Sequence, residues 1–166
     1  LTDPASPAGT DPETSRPEVP EDHLFRGLSW RTVDVDGADW AMEMDVTPSV
    51  CNSSGALQGG LVATLIDTLA GTALLHGPEG YDQTATQDMH VTYHAGARIG
   101  PVRATAHVLR RGGRSASVRV EVVDLGAGDL AVATGLLTFA ARRLAPEQMH
   151  KALTSSPIAK RAEPAG

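Results

Sequence analysis

Asp67 is the one charged residue between Gln58 and Leu75. The other non-apolar positions around it, Thr64, Thr68, Gly71 and Thr72, are small. An outward-facing helix normally carries Lys, Glu and Arg on its exposed side, and this stretch has none. A lone carboxylate in such a setting is costly to desolvate unless it is paired or functional. Just upstream stands Asn52-Ser-Ser-Gly-Ala-Leu-Gln-Gly-Gly60. Glycines at positions 59 and 60 let another group come close to the backbone. The first N–H groups of a helix have no internal partners and carry partial positive charge, which suits an oxygen that is gaining negative charge. Gln58, a neutral amide, can donate a hydrogen bond there but cannot take a proton at neutral pH.

The spacing adds a constraint. Asp67 lies nine residues after Gln58, which on a helix is about 13.5 Å of rise and roughly half a turn. One helix cannot aim both Asp67 and its own N-terminus at one small carbonyl. If the two act together, two helices from two-fold related subunits must meet, so the expectation is a homodimer with shared sites. Other reactive side chains carry weaker signals. Cys51 has no adjacent His or cation to activate it as a thiolate. His90 and His94 fall on a strand and its exit, with no carboxylate or Cys cluster to complete a metal site. His76 follows the helix and suits its C-terminal dipole, and His107 belongs to a solvated strand face. Arg110, Arg111 and Arg114 cluster around a Gly112-Gly113 turn. They form either a solvated hairpin or a phosphate contact, since guanidinium groups match phosphate geometry.

The elements that must position these residues follow from periodicity. Val62, Leu65, Ile66, Leu69 and Ala73 share one face at helical spacing. Most of the rest alternates with period two. Val33 and Val35 come first, then Trp40, Met42, Met44 and Val46. After the helix come Met89, Val91 and Tyr93, then Val102 to Val108, then Ala116 to Val122 beyond the glycine turn, and Leu130 to Ala140 last. Two strands, one long helix and four strands make an α+β layer, one helix against a largely antiparallel sheet. Residues 1–21, with five prolines, read as a disordered lead, 22–150 as one folded domain and 151–166 as a flexible tail.

Composition narrows the function classes. The chain has 166 residues, enough for one domain with a real core, of which 41% are hydrophobic and 20% charged. A net charge of −6 argues against a nucleic-acid binder. No uninterrupted run of 18 apolar residues and no signal-peptide pattern is present, so the expectation is a cytoplasmic protein with no membrane span. Cys51 is the single cysteine, which excludes an internal disulfide and a multi-Cys zinc site. No cofactor motif stands out, and the expected chemistry rests on the chain's own residues.

The string N-x5-QGGLVATLIDTLAG, followed by TATQDMHVTYHAGARIGPVRA and GRSASVRVEVVD, resembles the hotdog-fold thioesterases. The nearer likeness is to the branch of phenylacetyl-CoA and medium-chain acyl-CoA thioesterases. It covers about residues 28 to 140. The resemblance implies a hotdog fold with one central helix wrapped by about six strands, and hydrolysis of an acyl-CoA, aroyl-CoA or acyl-carrier-protein thioester. It implies Asp67 as base or nucleophile and the Gly59 N–H as the group polarising the thioester carbonyl. It further implies Asn52 as a positioning group and Thr86 as the hydroxyl beside the acid. Gly60, Arg110, Arg111, Gly113 and Arg114 would contact coenzyme A, and the assembly would be a homodimer or a dimer of dimers. One departure stands out: the branch usually has His where this chain has Gln58, which leaves Asp67 as the base. The rival reading is a non-catalytic hotdog domain that binds acyl-CoA as a sensor or scaffold. A hotdog hydratase is disfavoured, because no Asp–His pair precedes the helix.

Overall fold

A computed structural model of the chain describes residues 23–77, 79–144 and Gln148. The lead at 1–21 and the tail at 151–166 lie outside the described residues. One long helix, α1 (Gly59–His76), packs on one face of a six-stranded antiparallel sheet among the described residues. The strands are β1 (Trp30–Val33), β2 (Trp40–Met44), β3 (Gln83–Tyr93), β4 (Val102–Arg111), β5 (Ser115–Asp124) and β6 (Leu130–Arg142). Their spatial order is β1-β2-β4-β5-β6-β3. Sequence-adjacent strands pair as hairpins except at β3, which follows the helix and returns to the far edge beside β6.

The period-two residues face α1. Met42, Met44, Val102, Ala104, Ala106, Val118, Val120, Val122, Leu137 and Phe139 are buried together with Val62, Leu65, Ile66, Leu69 and Ala73 of the helix. Each fully buried Leu or Ile contributes about 1.5–3 kcal/mol relative to its exposed state. Close approach is enforced at Gly135 on β6, where a Cβ would lie 2.5 Å from Ile66 Cγ2. By length and composition alone α1, with mean hydropathy 1.3, could cross a bilayer. Its seven buried residues, packed on the sheet, mark it as the core helix.

Two boundaries differ from the sequence reading. The alternation through Val35 does not extend β1, because the Val35 carbonyl accepts from Ala38 N–H in a turn that Gly37 completes at φ +79°. β3 starts at Gln83, earlier than its apolar residues indicate. Its leading residues Gln83 to Gln87 are polar or small, so hydrophobic alternation does not mark them. A β-bulge falls at Gln87, between the pairs Thr86–Phe139 and Asp88–Thr138. The sheet has unequal edges: β1 is four residues long, whereas β3 has eleven, all exposed except Thr84 and Val91.

Candidate active site

The segment before α1 is a tight loop closed by a bridge between Cys51 and Leu57. Asn52 organises it. Its Oδ1 accepts from Ser54 N–H (2.9 Å) and Ala56 N–H (3.2 Å), and its backbone N–H donates to Ala56 O (2.7 Å). Gly55 takes the positive φ (+73°) that the loop requires. The side-chain oxygen of Asn52 is therefore occupied within its own loop. Asn52 lines a pocket of about 350 Å³, together with Leu57, Gly59, Val62, Tyr93, Ala97 and Val132.

A second loop, residues 94–101, forms the opposite wall, and a buried carboxylate holds it. Asp124 is fully buried and accepts from the N–H groups of Arg98 (2.9 Å), Ile99 (3.1 Å) and Gly100 (2.8 Å). Burial pushes this carboxyl up. Bonds from Ile99, Arg98, Gly100 and Ala127 outweigh burial and hold it below the ordinary Asp range. The loop so fixed reaches across to the first one. Leu57 N–H donates to Ala97 O (2.8 Å), Arg98 Nη1 donates to Ser54 O, and a Cβ on Gly96 would meet Ala56 Cβ at 3.0 Å.

These contacts set the start of α1. Gln58 is its N-cap, makes no side-chain capping bond and is exposed. Gln58 N–H donates to Val50 O, while Leu61 N–H and Val62 N–H both donate to Gln58 O. The N–H groups of Gly59 and Gly60 have no partner among the described residues. Two adjacent unpaired donors at a helix N-terminus, beside a largely apolar pocket, suit an oxygen that carries negative charge.

Asp67 lies two turns further on, half-buried, and its Oδ1 accepts from Thr86 Oγ1 at 2.7 Å. That bond orients the carboxylate and leaves Oδ2 free. The structure thus brings Thr86 and Asp67 together. Within one chain, however, Asp67 and Gly59 are kept apart. Eight residues of α1 separate them by about 12 Å of rise, and they bond different parts of β3, Thr86 for Asp67 and Tyr93 for Gly59.

The remaining candidates disperse. Arg111 donates to Ala73 O (Nη2, 3.0 Å) and Leu74 O (Nη1, 3.4 Å), so its guanidinium seals the C-terminal end of α1. Arg110, Gly113 and Arg114 are exposed around the β4–β5 turn at that same end, away from Gly59. His90 Nε2 lies 3.4 Å from Thr92 Oγ1, and His94 Nε2 lies 3.0 Å from Thr134 Oγ1. Among the described residues no three His, Cys, Asp or Glu side chains gather as metal ligands. His76 ends the helix beside Trp40, their ring centroids 5.8 Å apart. His107 is half-buried on β4 opposite Arg119. The sequence reading missed Tyr93 and Asp124. Both act on backbone groups more than twenty residues away, and only the pairing of strands could reveal such contacts.

The profile of the thioesterase superfamily matches residues 54–131. Human acyl-coenzyme A thioesterase 13 is 37% identical over 89 residues, covering 53% of this chain and 63% of its own length, a little under two thirds. A structure of zebra fish thioesterase superfamily member 2 superposes with TM-score 0.60 at 28% identity, covering 68% of this chain and 80% of its own. A conserved protein of Pseudomonas aeruginosa superposes with TM-score 0.62 at 30% identity, covering 70% and 91%. With its single helix on a six-stranded antiparallel sheet, its paired glycines at the helix start and its helical Asp67, the chain belongs to the thioesterase superfamily and has the hotdog fold.

Proposed function

We propose that this protein hydrolyses an acyl-CoA or aroyl-CoA thioester, or an acyl-carrier-protein thioester, to the free acid and thiol. The observation that carries this reading is the pair of unpartnered N–H groups at Gly59 and Gly60, opening on a pocket walled by Leu57, Val62 and Val132. The thioester carbonyl oxygen accepts from these donors, and the helix dipole adds to their pull as the oxygen becomes an oxyanion. Asp67 supplies the base. It takes a proton from water, the hydroxide adds to the carbonyl carbon, the C–S bond breaks, and the departing thiolate takes up the proton. Direct attack by the Asp67 carboxylate, giving an anhydride that water then opens, uses the same residues. Gln58 donates to the thioester and holds it in place. The names of the relatives, acyl-coenzyme A thioesterase among them, support the substrate class. The single Cys51, a free thiol, accords with a cytoplasmic enzyme.

The active unit in this reading is a homodimer, which can pair further into a dimer of dimers. The long exposed edge of β3 offers an unpaired row of backbone groups for a second copy. A two-fold axis perpendicular to α1 that brings the partner subunit's Asp67 beside Gly59 passes alongside the helix at the level of about residue 63. The same rotation carries the partner's β4–β5 hairpin, anchored at the end of its α1, to some 10 Å beyond Gly59 along the helix axis. Arg110 and Arg114 then lie outside the mouth of the site, where the phosphates of coenzyme A would project. This is the geometry in which the arginine cluster can serve the substrate, in trans rather than in cis.

The test is a hydrolysis screen over acyl-CoA chain lengths and aromatic acyl-CoAs with free thiol as the readout. Turnover is expected with at least one class. Tight acyl-CoA binding without thiol release would establish the sensor reading instead. Sharing of sites is tested by subunit exchange between Asp67→Asn and Gly59→Val proteins. A mixed dimer carries one doubly damaged site and one intact site, so activity should return toward half of wild type. Confirmed exchange without recovered activity would place the base and the N–H groups in one chain.

A further inference from the structure

Tyr93 is the last residue of β3, opposite Ala133 on the face that meets the helix. Its hydroxyl donates to Gly59 O at 2.8 Å, and its ring carbons lie 3.7 Å or more from where a Gly59 Cβ would stand. The bond crosses 34 residues of sequence and ends on a carbonyl of the first helical turn. That carbonyl belongs to the Gly59–Gly60 peptide, whose N–H is one of the two free donors. A hydrogen bond to a peptide oxygen draws density from the nitrogen and makes the N–H a stronger donor. Gly60 is exposed, and nothing lies within 4 Å of where its Cβ would be, so the backbone there is open to an incoming group. Tyr93 is 51% exposed. A hydroxyl in that position has water as an alternative partner, so its bond to Gly59 adds little to folding stability.

We infer that Tyr93 is a positioning residue for the thioester oxygen. Its hydroxyl fixes and polarises the Gly59–Gly60 peptide, so that Gly60 N–H donates beside Gly59 N–H in a two-donor oxyanion site. The inference rests on the thioesterase reading and assigns a task to a side chain that touches neither the water nor the scissile bond. The bond matters most when charge develops on the oxygen, so its loss falls on kcat rather than on substrate binding.

The test is Tyr93→Phe, which keeps the ring and removes the hydroxyl. Expected are a fall in kcat of about tenfold, the net worth of one hydrogen bond, and a KM within about twofold of wild type. The thermal midpoint should not change. In an amide ¹⁵N–¹H correlation spectrum of the ligand-free protein, the Gly60 resonance should move upfield in both dimensions. A merely structural role would lower the midpoint and would not single out Gly60. Wild-type kcat in Tyr93→Phe, or a Gly60 resonance that stays in place, overturns the inference while leaving the thioesterase reading intact. Absence of hydrolysis by the wild-type protein across all acyl-CoAs overturns the reading itself, and the inference with it.

Discussion

The two ends of α1 are treated in opposite ways. At the C-terminal end the carbonyls of Ala73 and Leu74 each find two donors. Gly77 N–H and Arg111 Nη2 both reach Ala73 O, while Tyr81 N–H and Arg111 Nη1 reach Leu74 O. A Cβ on Gly77 would lie 2.6 Å from both Ala73 O and the Arg111 guanidinium, so that closure leaves no room for a side chain. At the N-terminal end the chain declines a cap. A Ser, Thr or Asp at position 58 would satisfy a free N–H and contribute about 0.5–2 kcal/mol. Gln58 makes no such bond, and the next two donors stay bare. The helix is anchored at one end and left unsatisfied at the other. Stability and chemistry are therefore separable along a single element.

That separation can be broken or sharpened by substitution. The largest effect is expected at Asp67, on the chemical side. Asp67→Asn should lower turnover at least about a hundredfold, the lower range for losing a general base, with an unchanged thermal midpoint. Wild-type turnover in that variant would remove Asp67 from the mechanism. Gln58→Ala comes next and should cost about 1–3 kcal/mol in kcat/KM, the range for an unmade hydrogen bond to a bound group, again without loss of stability. Gln58→His, which restores the residue usual in the branch, should retain activity. Arg111→Ala tests the sealed end with the opposite signature. It should lower unfolding free energy by about 1–2 kcal/mol through the exposed carbonyls and leave kcat close to wild type in the folded fraction. A loss of kcat there without a loss of stability would mean that the hairpin serves the site directly.

The smallest effect is a dependence on acid. Burial raises the carboxyl of Glu43, but hydrogen bonds from Arg103 and Arg31 outweigh it and hold the group below the ordinary Glu range. Asp124 is depressed as well, by its backbone donors. In both cases the unfolded chain binds protons more readily than the folded one. Their contribution is whole above the ordinary carboxylate pKa of about 4 and is lost as pH falls through the lower folded values. Denaturant melts from pH 6 downward should show stability falling in that window, and Asp124→Asn should flatten the fall. A profile unchanged by the substitution would show that Asp124 does not contribute to it.

The sequence made the helix legible because Val62, Leu65, Ile66, Leu69 and Ala73 recur at a spacing only a helix can use, and all five are buried. The strands were legible for the same reason at period two. Asp67 and the Gly59–Gly60 pair stood out as exceptions to local expectation, a charge without companions and paired glycines at a helix start. What could not be read depends on register. Thr86 came only from family likeness, since nothing near it in sequence indicates that it faces Asp67. Tyr93 and Asp124 carry out their tasks through backbone atoms of distant residues, which any sequence would offer. Arg111 was read as part of a solvated hairpin or as a phosphate contact, and its bonds to Ala73 O and Leu74 O were not foreseen because a guanidinium suits a helix C-terminus as well as a phosphate.

The bulge at Gln87 settles a question of parity. Thr86 and Tyr93 are seven positions apart, an odd number, and on an unbroken strand such residues point to opposite sides of the sheet. Here both turn toward α1, Thr86 to Asp67 and Tyr93 to Gly59. The inserted residue shifts the phase of the strand by one, so that a single element addresses two stations on the helix. A chain of the same composition without Gln87 could keep one of these alignments or the other, but not both. Insertions are usually judged by whether the fold tolerates them. In this strand the extra residue is what keeps both halves of the site in step.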